Sequence, residues 1–349
     1  MIRSTKYSLK YLTKEKEALL KEFFSLYKKY LTLTIDLLWR NQVPRDTYLS
    51  SKDIYWMDNL GGQYKQLIYK HASEIVKSAV LKQNKDFRKR KNKSKSWNKK
   101  HLRQNYKPKI KNVSINFDQR FVTIEKAKTS KMFDSWVILK LPFILENTKN
   151  KRMETSIPIK EHKHSLKYSD WRKANTVKIS ENGYASFSFS KEQELLKQDG
   201  EVLGLDSGYV NLLATSDGRI IGKEMEEVYT KITKKKRGSK AFSKSVIMKN
   251  NKINEIINKE VLPLLSTTKE VVMEDLKNLK FRIKGKRKKE FNNKYQYWTY
   301  SQMLQKIERL CEENRVLFTK VDPSYTSQEC PNCHSVQSKN RKRRVLFMH

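Results

Sequence analysis

The chain has 349 residues, long enough for two or three domains with cores of their own. Lysine and arginine number 75 against 37 acids, and the resulting formal charge of +38 repels itself unless a polyanion neutralises it, so nucleic acid is the expected partner and an anionic membrane surface a distant second. Residues 1–10 lack an apolar signal region and charges interrupt every apolar run well short of about 18 residues, so the expectation is a chain neither secreted nor membrane-spanning. Cys311, Cys330 and Cys333 are too few and too clustered for a disulfide framework; they fit a reducing cytoplasm.

In chain order, Thr5 to Leu9 predicts a short strand. Thr13, with Glu17 nearby, caps a helix whose apolar positions are Leu19, Leu20, Phe23, Phe24, Tyr27, Leu31 and Leu33. A second helix is predicted over 63–87, with Leu67, Ile68, His71, Ile75, Val76 and Val80 on one face and His71 packed there. Residues 45–62 between them read as a loop carrying Tyr48, Tyr55 and Trp56. Residues 85–109 are then almost wholly basic, with Phe87, Trp97 and Tyr106 interspersed. Dense cations suit phosphates and scattered rings suit base stacking; a solvated linker is the alternative, though it has little use for Trp97. Arg88, Lys89, Arg90, Lys91 and Trp97 are the candidate contacts here.

From 110 to 190 the pattern turns to short β-like runs at 113–117, 121–124, 136–141, 155–158, 177–179 and 184–189, the last alternating as YASFSFS. A small barrel with a basic rim is the simplest assembly. Residues 192–200 read as a linker.

The next stretch carries the chemistry. Val202, Leu203 and Leu205 predict a buried strand ending in Asp206, residues 209–215 its neighbour, and Ser216, Asp217 and Gly218 the hairpin turn leading to Ile220 and Ile221. Downstream, Val271, Val272 and Met273 form a second apolar run that ends in Glu274. Two such strands side by side would converge their carboxylates, as in ribonuclease H-like nucleases, where shared acids hold divalent ions against a phosphodiester. The alternative is that Asp206 caps a turn and Glu274 or Asp275 caps a helix. Between the two strands lies a basic segment, 231–244, with Lys235, Lys236, Arg237 and Lys240, then a helix through Ile247, Ile253, Ile256, Ile257 and Val261. A second basic segment, 280–289, follows Glu274 and contains Arg282, Lys286 and Arg287. A helix over 298–314 places Met303, Ile307, Leu310 and Cys311 on one face, and Val316 to Val321 predicts a further buried strand ending at Asp322 and Pro323.

The order GLDSGYVNLLATSDG, KKKRGSKAFSK, VVMEDL and WTYSQMLQKIERLCEENRVLFTKVDPSYTSQECPNCH, over 203–334, resembles the C-terminal half of TnpB proteins, transposon-encoded RNA-guided nucleases related to type V CRISPR effectors. The resemblance implies an α/β multidomain fold: a wedge-like β-barrel from 1–10 and 108–192, a helical recognition domain over 11–107, a RuvC (RNase H-like) domain with a mixed sheet over 200–325, and a truncated zinc-ribbon remnant with a basic tail over 326–349. It implies that Asp206 and Glu274 match the first two RuvC acids and would hold magnesium weakly. Cys330 and Cys333 match half of a zinc ribbon, too few ligands for zinc to be expected. Tyr55, Tyr64, Lys65 and Lys70 are further nucleic-acid candidates from their placement on helix and loop. No acid follows Glu329, so the third family carboxylate has no match. The function expected is RNA-guided, sequence-specific binding of double-stranded DNA with impaired or absent cleavage, repressing transcription by occupancy. The expected partners are guide RNA and target DNA. An active RNA-guided endonuclease and a general RNA-binding protein are the alternatives.

Overall fold

A computed structural model of the chain describes residues 1–40, 57, 60–90, 94, 96, 106–144, 152–208, 211–276, 296–324, 335–337, 341–342 and 345–346. They divide between two units, Met1–Glu192 and Gln193–His349, and the boundary falls at the start of the expected linker.

In the first unit, β1 (Ile2–Ser8) is the predicted strand, lengthened at its start. Thr13 Oγ1 accepts the Lys16 N–H at 3.4 Å and Glu15 and Glu17 occupy the first turn, where carboxylates complement the exposed N–H groups of α1 (Lys14–Arg40). One face of α1 buries Leu20, Phe23, Phe24, Tyr27, Leu31, Ile35 and Leu38, a three-and-four spacing, whereas Leu33, expected on that face, is 44% exposed. In α2 (Gly62–Arg90), Tyr64, Ile68 and Ala72 are fully buried, but Leu81 and Phe87 are exposed, so its C-terminal turns extend beyond the core.

The six predicted β runs are six strands: β2 (Ser114–Phe117), β3 (Val122–Lys126), β4 (Ser135–Ile144), β5 (Arg152–Ile159), β6 (Arg172–Ser180) and β7 (Tyr184–Ser190). They make two antiparallel sheets, β1-β7-β6-β2 and β3-β4-β5. In β7 the alternation places Ala185, Phe187 and Phe189 inward. Gly183, at φ 77°, makes the tight β6–β7 turn that a residue with a Cβ would strain. Both helices and both sheets share one core in which Phe23 lies 5.9 Å from Tyr64 and 6.1 Å from Phe117, ring centre to ring centre.

The second unit is a mixed sheet of order β10-β9-β8-β11-β12. Strands β8 (Glu201–Asp206), β9 (Leu213–Thr215) and β10 (Ile220–Ile221) form the expected antiparallel meander. Strands β11 (Thr268–Glu274) and β12 (Leu317–Val321) run parallel to β8 and to each other. Covering one sheet face are α3 (Met225–Thr233), α4 (Lys240–Ile256) and α5 (Tyr300–Glu313); Ile253, Ile256, Met303, Ile307 and Leu310 pack with Leu203, Leu205, Val271 and Met273. A short strand pair, β13 (Arg341–Lys342) with β14 (Val345–Leu346), lies near the C-terminus.

Four expectations need correction. Val202 is 52% exposed rather than buried, because it alternates with Leu203 onto the opposite sheet face. Ile247 is 60% exposed, because the buried stripe of α4 runs through Lys249, Ile253 and Ile256. That helix does not continue regularly to Val261: a π turn and a 3-10 turn containing Pro263 follow it. Strand β12 is half-exposed, as an edge strand can be. Helix α3 was not expected at all, although Met225, Tyr229 and Ile232, spaced four and three apart, are its buried residues.

Candidate functional site

In β8, Leu203 and Leu205 turn toward the helices, so Gly204 and Asp206 turn the other way. In β11 the same parity buries Val271 and Met273 and sends Val272 and Glu274 to the opposite face. The parallel register sets Leu203 beside Val271 and Leu205 beside Met273, which makes Asp206 and Glu274 the next neighbouring pair. The two expected acids therefore end adjacent strands, on one face, at the same edge of the sheet. Neighbouring strands stand only about 5 Å apart, so two carboxylates there repel unless a cation or donors compensate them.

Backbone chemistry fixes both ends. Gly204 N–H donates to Ser216 Oγ at 3.0 Å and Ser216 N–H donates to the Gly204 carbonyl at 2.9 Å, closing the meander behind Asp206. A Cβ at Gly208 would lie 2.6 Å from the Asn211 carbonyl oxygen, so the turn after Asp206 requires glycine. On β11, the buried Tyr300 hydroxyl donates to the Glu274 carbonyl and accepts the Leu276 N–H at 3.2 Å. Asp275 N–H donates to the Val321 carbonyl at 2.8 Å, holding the strand end to β12.

Two adjacent carboxylates suit magnesium, which prefers oxygen ligands, keeps several waters and is held by one or two protein carboxylates. Among the described residues no group of three or more His, Cys, Asp or Glu could hold a metal ion. Asp217 belongs to the hairpin instead: the Thr215 hydroxyl, and then Arg219, hold its carboxyl below the usual range.

The remaining candidates are dispersed. Lys235, Lys236, Arg237 and Lys240 are exposed around the start of α4, where Ser239 Oγ caps the helix by accepting Phe242 N–H at 3.1 Å. Arg237 is engaged: its guanidinium donates to Gln296 Oε1 and, at 3.4 Å, to the Tyr297 hydroxyl. Lys70, Arg88 and Arg90 are exposed on α2 and Lys65 is half-buried. Lys89 lies in α2, but its side chain is outside the described residues, as are Tyr55, Lys91, Trp97, Arg282, Lys286, Arg287, Cys330 and Cys333. Tyr64 requires correction. It is fully buried, packs 4.7 Å from Phe121 and donates to the Lys140 carbonyl, so its ring holds the first unit together and is closed to a base.

Sequence reasoning missed Tyr300, whose buried ring reads only as a helix start, and Lys249, a 4%-exposed lysine whose Nζ donates to the Tyr297 carbonyl at 3.3 Å. The Cys311 thiol is pushed up to about 12, by burial first, which agrees with a packing role.

A family model described as Cas12f1-like, TNB domain, matches residues 300–348. The CRISPR-associated endodeoxyribonuclease Cas12f1 of Sulfoacidibacillus thermotolerans is 35% identical over 78 residues, which are 22% of this chain; the chain spans 16% of that relative's length. A cryo-EM structure of a Cas12f1-sgRNA-target DNA complex aligns over 94% of this chain and 77% of that chain with a TM-score of 0.51 at 14% identity, a likeness of fold. Among the described residues, no helix is long and apolar enough to cross a membrane.

Proposed function

We propose, from the support these matches give to a TnpB/Cas12f-like family, that the chain binds double-stranded DNA under the direction of a guide RNA, with impaired or absent cleavage, and represses transcription by occupying its target. The observation that carries the reading is the pairing of Asp206 with Glu274 at one sheet edge, within a chain whose formal charge is +38. The meander followed by two parallel strands is what an RNase H-like, RuvC-type centre requires to bring a first and a second acid together. We read the two antiparallel sheets of the first unit as a wedge-like barrel and α1 with α2 as a helical recognition region.

The division of labour follows from chemistry. Base pairing between guide and target reads sequence, while protein cations hold the heteroduplex through its phosphates. Lys235, Lys236 and Lys240 in the second unit and Lys70, Arg88 and Arg90 in the first serve that purpose. Mg²⁺, when bound, polarises a phosphate and generates a nucleophile from water. Asp206 and Glu274 would hold it; Tyr300 and Gly208 fix the backbone from which these carboxylates project. Among the described residues two carboxylates meet at this edge, a sparse set for two metals, which need shared ligands on both sides of the scissile phosphate, and on these residues we favour occupancy over cutting. Blocking a polymerase needs retention alone.

The test is incubation of the purified chain, with its copurifying RNA, with matched and scrambled plasmid in Mg²⁺ or Mn²⁺. Sequence-dependent retention without nicks supports the proposal. Linearised or nicked matched plasmid, lost on Asp206→Ala, overturns the silent-nuclease part, and equal retention of both plasmids overturns guided binding.

A further inference from the structure

Three rings that no sequence pattern singled out stand together in the first unit. Tyr11 follows β1, Phe133 sits in the β3–β4 loop and Trp136 lies in β4. Tyr11 and Phe133 are 5.5 Å apart, and Phe133 and Trp136 5.6 Å, both edge to face. All three are only partly buried, unlike the rings of the core.

The cluster is built and it is cationic. The β3–β4 loop is closed by Ala127 N–H donating to the Asp134 carbonyl at 3.0 Å, and Ser130 Oγ accepts the N–H groups of Met132 and Phe133 at 3.2 and 3.1 Å, which fixes where Phe133 stands. Lys10 Nζ lies 4.9 Å and Lys160 Nζ 5.9 Å from the Tyr11 ring centre, and Lys16 Nζ 5.9 Å from that of Trp136. Lys16 is pinned by donating to the Ser156 carbonyl and hydroxyl at 2.8 and 2.7 Å. Asp134, next to Phe133, uses its carboxylate to accept the Glu161 N–H at 2.7 Å, and Glu15 and Glu161 are the acids next in sequence to Lys16 and Lys160.

Lysine stems alone can cover apolar rings, but three ammonium groups gathered over partly exposed rings add a positive field that an uncharged or cationic partner would not use. Aromatic faces beside phosphate-seeking cations are the chemistry that holds unpaired nucleotides. We propose that Tyr11, Phe133 and Trp136 form a stacking platform for an unpaired base of single-stranded RNA, with Lys10, Lys16 and Lys160 taking the flanking phosphates. RNA is assigned because its loops and bulges present splayed bases, whereas a DNA duplex keeps its bases stacked inside. The proposal rests on the polynucleotide-binding part of the proposed function and on no step of cleavage.

The test uses the full chain stripped of copurified RNA, with four labelled probes: a uridine oligomer, its abasic counterpart, an RNA duplex and the matching deoxyuridine oligomer. The double variant Tyr11→Leu/Phe133→Leu keeps apolar bulk and removes π faces. It should weaken the uridine oligomer about 10-fold and leave the abasic and duplex probes within about 2-fold. A second variant, Lys10→Ala/Lys160→Ala, should weaken the base-bearing and abasic oligomers alike. An unchanged uridine oligomer with the ring variant, or an equal loss on the abasic probe, overturns the platform; an equal loss on the deoxyuridine oligomer overturns the assignment to RNA. If the unaltered chain binds none of the probes in a salt-dependent way, it is the proposed function that fails.

Discussion

Tyr300 holds the main chain where β11 ends, its hydroxyl donating to the Glu274 carbonyl and accepting the N–H of Leu276. The first residue of α5 thereby sets the end of β11, where the second acid sits. Tyr300→Phe removes both hydrogen bonds, while the Leu276 N–H and the Glu274 carbonyl keep their 3.2 Å bond to each other, so the expected loss is about 1 kcal/mol. A urea titration of the full chain should show a lower midpoint with an unchanged slope. An unchanged midpoint would mean the grip contributes nothing.

The pairing of Asp206 with Glu274 makes a second expectation. Cross-strand neighbours of like charge are destabilising, a penalty that a divalent cation relieves by binding the folded state. Asp206→Asn should raise the melting temperature slightly in EDTA and abolish the rise that Mg²⁺ gives the unaltered chain. A variant that still responds to Mg²⁺ as the parent does would place the ion elsewhere.

Lys235 and Lys236 are exposed in the turn before α4, whereas Arg237 is tied to Gln296 and Tyr297. Replacing both lysines by Ala should reduce the slope of log binding constant against log salt by about 1–2 without loss of thermal stability. Arg237→Ala should lower stability as well, since it also breaks a contact within the unit. Melting curves and salt titrations on the same RNA separate the two.

His71 supplies a pH dependence. Its Nδ1 lies 3.2 Å from the Tyr27 hydroxyl, and burial first, against the opposing charge of Glu74, lowers its pKa below the ordinary 6.5. A base lowered on folding binds fewer protons in the folded than in the unfolded state. Its penalty is therefore absent well above pH 6.5 and grows as pH falls through 6.5 toward the folded value. Melting temperature should drop on acidification through that window, and His71→Gln, which can still accept from Tyr27, should flatten the drop. Parallel curves for both proteins would place the titration in another group.

What was legible in the sequence was periodic. The α1 stripe from Leu20 to Leu38, the alternation of Phe187 and Phe189, and the apolar runs ending in Asp206 and Glu274 depend on local spacing, and a residue's neighbours along the chain decide them. The placement of those two acids together was an inference from two separate strands, and the parallel register of β8 with β11 bears it out. Tyr64 went the other way. On a helix beside Lys65 it read as a surface ring, and only the packing of Phe23, Phe117 and Phe121 turned it inward.

Charge, the strand and helix periods and the presence of two acids were fixed by composition and local order, because hydration and backbone geometry act over a few residues. Which face each strand buried, that Lys249 and Tyr300 would grip main-chain carbonyls, and that Tyr11 would meet Phe133 and Trp136 were decided by tertiary structure alone. Apart from Phe133 with Trp136, those contacts join residues far apart in the chain, and they exist only once the sheets and helices of each unit have closed on that unit's own core, whose close packing leaves few other arrangements.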